Sequence, residues 1–126
     1  MSDQNNAAKV MLVDDDWMNR DLMGIILRRA GFDPVAAHSG EDALELAIDE
    51  QPAVVLCDVM MEGMSGYDVC QQFKANPQTA HIPFAILTSF ENPEARQKAI
   101  DSGADDFITK LIEPEVLISR VRALLS

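Results

Sequence analysis

Short apolar runs alternate with amphipathic stretches along the whole chain. The runs are Lys9–Val13, Pro34–Ala37, Val54–Cys57, Phe84–Leu87 and Phe107–Thr109, and each predicts a strand. Between them, Met18, Leu22, Ile25, Ile26 and Arg29 recur at helical spacing, with the apolar positions on one side. Leu44, Ala47 and Ile48 repeat the pattern, as do Leu117, Val121 and Leu124. The punctuation agrees. Ser39 with Asp42, and Ser65 with Asp68, read as helix N-caps with an acid three residues on. Asn92-Pro93 reads as a cap and first helical residue, Gly31 and Gly103 as helix stops, and Pro114 as the opening of the last helix. Five strands, each followed by a helix, predict an α/β fold: a doubly wound parallel sheet with helices on both faces. The nearly continuous apolar run Val54-Val55-Leu56-Cys57 suits a central strand. The fourth helix, with only Ala95, Ala99 and Ile100 as apolar residues, is expected to bury little and to move most easily.

A length of 126 residues suits one domain with a real core. The polar segment Met1–Ala8 predicts a disordered tail ahead of a domain over residues 9–126. A hydrophobic content of 48% and a charged content of 25% are ordinary for a soluble globular protein. The formal net charge of -11 changes the picture more. It argues against nucleic acid or an anionic membrane as a direct partner, since both need a basic face, and it fits a cation site or a basic protein partner. Neither a signal-peptide apolar region nor a membrane-length stretch is present in the sequence, which predicts a cytoplasmic location. Cys57 and Cys70 show no metal spacing and read as reduced packing thiols.

The candidate chemistry lies at the strand ends. Asp14-Asp15-Asp16 follow directly on the first strand, and carboxylates that close resist joint ionisation unless a cation sits among them. In open parallel sheets, ligands bind beyond the carboxyl ends of the strands, near the point where strand order reverses. The third strand ends in Asp58, the fourth in Thr88-Ser89 and the fifth in Thr109-Lys110. Each of these is ordinary alone: a turn aspartate, a strand-ending threonine, a solvated lysine. Together they serve one purpose. Carboxylates hold a hard divalent cation, Mg2+ by preference, and a further carboxylate acts as nucleophile toward phosphorus. The cation, an ammonium and a hydroxyl stabilise the transferring oxygens.

The pieces MLVDDD, VVLCDVMMEGMSGYDV, FAILTS, GADDFITK and EPEVL, taken together, resemble the receiver domain of two-component response regulators from about Lys9 to Leu125. The resemblance implies a flavodoxin-like sheet in the order 2-1-3-4-5. It implies a non-enzymatic signalling domain in which Asp58 accepts a phosphoryl group from a phosphohistidine of a sensor histidine kinase or histidine phosphotransfer protein. Asp15 would then bind Mg2+ directly, Asp14 directly or through water, and the backbone carbonyl of Met60 would add a ligand beside Asp58. Thr88 would hydrogen-bond the phosphoryl group and Lys110 would pair with it. Phe107 falls at the switch aromatic position, which turns inward as Thr88 moves, while Asp16 reads as a helix-entry acid.

Two departures stand out. Leu111 follows Lys110 where the family usually has a proline after a cis bond, so a trans bond and a rerouted loop are expected. Glu62 stands where Met-Pro-x-Met has proline, and is expected to point to solvent. Met60 and Phe90, at positions that tune water access in the family, are expected to shield an aspartyl phosphate. Output would reach a downstream protein target or a fused effector domain. Lys98, Asp105, Asp106, Arg120 and Arg122 would support a homodimer through the fourth helix, fifth strand and fifth helix. Two rival readings are a phosphorylation-independent pseudo-receiver and a haloacid-dehalogenase-like phosphatase with its nucleophile at Asp14.

Overall fold

Strand and helix alternate as the periodicity predicts, and the junctions show why. A computed structural model describes residues 7–89, 91–110 and 112–126. The elements run β1 (Lys9–Val13), α1 (Trp17–Arg29), β2 (Asp33–Ala37), α2 (Gly40–Glu50), β3 (Val54–Asp58), α3 (Gly66–Ala75), β4 (Phe84–Thr88), α4 (Pro93–Ser102), β5 (Asp106–Thr109) and α5 (Pro114–Leu125). Ser65 Oγ accepts from the Asp68 N–H while the Asp68 carboxylate accepts from the Ser65 N–H, closing a reciprocal capping box. At α2 only half of that box forms. Ser39 Oγ accepts from Asp42, but the Asp42 carboxylate turns to the His38 N–H. Asn92 caps α4 through the Ala95 N–H at 2.8 Å. Gly103 ends α4 at φ 92°, in the left-handed region that costs a side-chain-bearing residue about 1–2 kcal/mol.

The five strands form one parallel sheet in the order β2-β1-β3-β4-β5. Alternate side chains along each strand point to opposite faces, and two cores result. Met11, Val13, Val55, Cys57, Phe84, Ile86 and Phe107 face α2, α3 and α4. Val10, Leu12, Val54, Leu56, Ala85, Leu87 and Ile108 face α1 and α5. Phe73 of α3 is fully buried edge-on against Phe84, with ring centroids 5.2 Å apart. Burial of a side chain of this size contributes about 1.5–3 kcal/mol. Cys57 and Cys70 are both free, buried thiols in the first of these cores.

α1 departs from the expected face. Met18, Leu22 and Ile25 are exposed, along with Trp17, whereas Gly24 and Leu27 are buried and Met23 and Ile26 pack partly against the second core. Of the apolar positions in the expected stripe only Ile26 packs against the sheet, because the helix is apolar on more than one side and spacing alone offered two faces. On α4, Ile100 is likewise exposed, and the helix fully buries only Ala99 and Ser102. No cis peptide bond occurs among the described residues, and no helix among them is long and apolar enough to cross a membrane. The expectations for Met1 to Asn6, for Phe90 and for the Lys110–Leu111 bond fall outside the described residues.

Candidate functional site

Strand order reverses between β1 and β3: the chain goes outward from β1 to β2 on one side, and from β3 through β4 to β5 on the other. Asp14 follows β1 and Asp58 ends β3, so both stand at the carboxyl rim of that crevice. Pairing of Val13 with Cys57 puts these strand ends level. Asp14, Asp15 and Asp58 each offer a carboxylate oxygen, and the three oxygens lie within 4.8 Å of one another. Asp14 and Asp58 are buried and Asp15 is exposed. Asp16 stands apart as the N-cap of α1, accepting from the Met18 N–H at 3.0 Å.

β5 lies one strand beyond β4, and Lys110, just past its end, reaches back over the crevice. Its Nζ is 3.0 Å from Asp58 Oδ1 and 3.7 Å from Asp14 Oδ2. Its backbone N–H donates to the Thr88 carbonyl at 2.7 Å, which holds the end of β5 against β4. Thr88 is buried at the rim, one residue past the Asp58–Leu87 register. The Asp58 carboxyl is held above its ordinary range, chiefly by burial and further by the charge of Asp14. Lys110 and the Met60 N–H, which donates to the carboxylate, oppose that shift. Burial pushes the neighbouring Cys57 thiol well up, so it is not a thiolate nucleophile.

The supporting contacts come from residues whose types gave no signal. The Glu62 N–H donates to Asp15 Oδ2 at 3.0 Å, tying the loop after Asp58 to the loop after β1, while Glu62 itself is exposed as expected. Arg20 Nη1 donates to the Asp14 carbonyl at 2.6 Å, and the Asp16 N–H donates to Asp14 Oδ1 at 2.9 Å. At Gly66, a Cβ would lie 2.3 Å from the Asp58 carbonyl oxygen, so only glycine lets α3 start this close under the site. Its one sequence signal was a glycine directly after the Ser65 cap. Met60, two residues after Asp58, is 77% exposed. Phe107 is buried, with the Arg96 guanidinium 5.3 Å from its ring centroid and paired to Glu91.

A parallel sheet ordered 2-1-3-4-5, with an acid triad and a lysine at its switch point, defines a receiver-type signalling module. The family model described as the response regulator receiver domain matches residues 10–122, and the chain belongs to that family. It is 37% identical over 117 residues to the DNA-binding dual master transcriptional regulator RpaA of Synechocystis sp. (strain ATCC 27184 / PCC 6803 / Kazusa), covering 93% of this chain and 48% of RpaA. It is 37% identical over 118 residues to the response regulator PleD of Caulobacter vibrioides, covering 94% of this chain and 26% of PleD. The chain thus spans about half or less of these curated relatives. Among solved structures, the chemotaxis protein CheY4 of Vibrio cholerae superposes with a TM-score of 0.89 at 29% identity, covering 94% of this chain and 99% of that one. The protein is therefore a receiver domain of two-component signal transduction, a signalling module whose acidic pocket fits a phosphoacceptor site.

Proposed function

We propose that Asp58 is the phosphoacceptor and that its phosphorylation by a phosphohistidine is the input this domain receives. The observation that carries this reading is the geometry around Asp58: a buried carboxylate with Lys110 at 3.0 Å and two further carboxylates within 4.8 Å. An Asp58 oxygen attacks phosphorus, and the new P–O bond replaces the donor's P–N bond. The Lys110 ammonium, freed from its pair with Asp58, then faces the phosphoryl oxygens, and the Thr88 hydroxyl donates to one of them. Asp14, Asp15 and Asp58 make an all-oxygen donor set that fits Mg2+, and the Met60 carbonyl would complete it. When bound, the cation supplies charge neutralisation at those same oxygens.

The donor is a sensor histidine kinase or histidine phosphotransfer protein. The apolar residues that α1 leaves exposed beside the site, Trp17, Met18, Leu22 and Ile25, are the surface on which it would dock. Output passes to a protein target or a fused effector domain, and a cytoplasmic location goes with such partners. A homodimer through α4, β5 and α5 remains part of the reading, with its two acids already engaged within the chain. Asp105 pairs with Lys74 at 2.9 Å and Asp106 with Arg120 at 2.5 Å, both inside the chain. The test is intact-mass analysis after incubation with acetyl phosphate and Mg2+. A phosphoryl gain in the wild type that vanishes in Asp58→Asn and without Mg2+ is the expected result. A gain that persists in Asp58→Asn but is lost in Asp14→Asn would favour the phosphatase reading, and no gain from any donor would favour the pseudo-receiver.

A further inference from the structure

The loop from Val59 to Met64 holds three thioethers in five residues, Met60, Met61 and Met64, immediately after Asp58. Two of them have packing roles. Met61 and Met64 pack partly against the core of α2, α3 and α4, and Met64 Sδ accepts from the Gln72 amide. Met60 does not share that burial: it is the most exposed large apolar side chain among the described residues. Its backbone N–H is directed at the Asp58 carboxylate, two residues earlier. An exposed apolar side chain thus stands beside a polar site while contributing little to the core, which calls for a role other than packing.

We propose that Met60 is an oxidation-sensitive neighbour of the Asp58 site: peroxide converts its thioether to the sulfoxide, and the sulfoxide shortens the life of the aspartyl phosphate. The inference rests on Asp58 being the phosphoacceptor. The chemistry is a two-electron oxygen transfer. A sulfur lone pair attacks one oxygen of hydrogen peroxide, the S–O bond forms and the O–O bond breaks. Sulfur is oxidised, and the second peroxide oxygen leaves as water with both protons. Access sets the order of reaction. Met60 at 77% exposure precedes Met18 at 54%, while Met11, fully buried, is protected. The effect on the site follows from polarity. A thioether is a weak acceptor that holds no water in place, whereas a sulfoxide oxygen is a strong one. A water held beside the acyl phosphate is the nucleophile that removes it.

The test uses the full chain carrying Met18→Leu, with and without Met60→Leu. Limited hydrogen peroxide is applied, peptide mass mapping reads the oxygen gain at residue 60, and methionine sulfoxide reductases reverse it. Each sample is phosphorylated with acetyl phosphate and Mg2+, the donor is removed, and the phosphoryl mass is followed in time. The quantity compared is the ratio of decay rates after and before peroxide within each variant. A ratio of roughly three- to tenfold in the Met60 protein, returning to unity with the reductases, is expected, against a ratio near one in Met60→Leu. An equal acceleration in Met60→Leu, an unchanged lifetime once Met60 is oxidised, or a Met60 that stays reduced while Met18 reacts in the parent protein would each overturn the proposal. An untreated protein that never gains phosphoryl mass would instead bring down the functional reading beneath it.

Discussion

Asp15→Asn is the perturbation that separates the cost of the acid triad from its use. Asp15 is exposed, its oxygen lies within 4.8 Å of one from each of Asp14 and Asp58, and it accepts the Glu62 N–H. Asparagine keeps that acceptor and the volume while removing one charge. At 4.8 Å a like-charge pair costs about 0.9 kcal/mol even at the dielectric of water, and Asp15 makes two such pairs. Salt screening and the lost attraction to Lys110 reduce the sum, leaving a gain of about 1 kcal/mol for the metal-free variant. In a domain of this size that raises the melting temperature by about 3–5 °C. Mg2+ reverses the order. At ten times its dissociation constant it stabilises the wild type by about 1.4 kcal/mol, and the variant, short of a carboxylate, loses most of that. Thermal unfolding of both proteins in EDTA and across a Mg2+ titration measures both effects. A metal-free variant that melts below the wild type, or a Mg2+ response equal to the wild type's, would refute the reasoning.

Gly66→Ala would force the added Cβ against the Asp58 carbonyl, 2.3 Å away, and against the Val59 Cα at 3.0 Å. It should destabilise by about 1–3 kcal/mol and slow phosphoryl gain at Asp58, and urea unfolding at wild-type stability would show that the loop yields freely. Arg120→Ala tests the α5 anchor of β5. Burial lifts the Asp106 carboxyl, but hydrogen bonds from Arg120 and the Phe107 N–H, with the charges of Arg120 and Arg96, hold it below its ordinary 3.8. A carboxylate depressed in the folded state contributes stability that is full above 3.8 and is lost as pH falls through the folded value. Arg120→Ala should therefore cost about 1 kcal/mol at neutral pH, since the pair is partly exposed, and nearly nothing once the pH has fallen far enough to protonate Asp106 in the folded state. Equal losses at both pH values in chemical denaturation would assign Arg120 to packing alone.

The strands were legible because each is short, apolar and closed by a polar residue, and a parallel sheet buries both faces of such a run. Their ends were legible for the same reason, since the first polar residue after a buried strand must sit at the rim. That rule placed Asp14, Asp58, Thr88 and Lys110 together before any coordinates, and the parallel registers bring them there. The face of α1 was not legible in the same way. Apolar residues at 17, 18, 22 and 25 and at 23, 26, 27 and 30 describe two stripes, and helical periodicity assigns neither to the core. The outcome has a physical logic. The stripe left in water borders the acid site, where burying it against the sheet would gain packing but leave nothing apolar for a partner to cover.

The contacts that aim the site were illegible for a different reason: they use atoms every residue has, or reach across sequence distances no pattern encodes. Asp15 is positioned by the backbone N–H of Glu62, forty-seven residues on, and any residue but proline could donate it. A proline at this position would have no N–H to give. The Glu62 N–H is thus a tether between the two acid-bearing loops. The Asp15–Glu62 bond links a carboxylate of the acid triad directly to the segment that carries Met60. Glu62→Pro removes this donor together with the acid, whereas Glu62→Gln removes the acid and keeps the N–H. A Mg2+ titration is expected to show weaker binding in Glu62→Pro and wild-type binding in Glu62→Gln, and an equal loss in both would refute the tether.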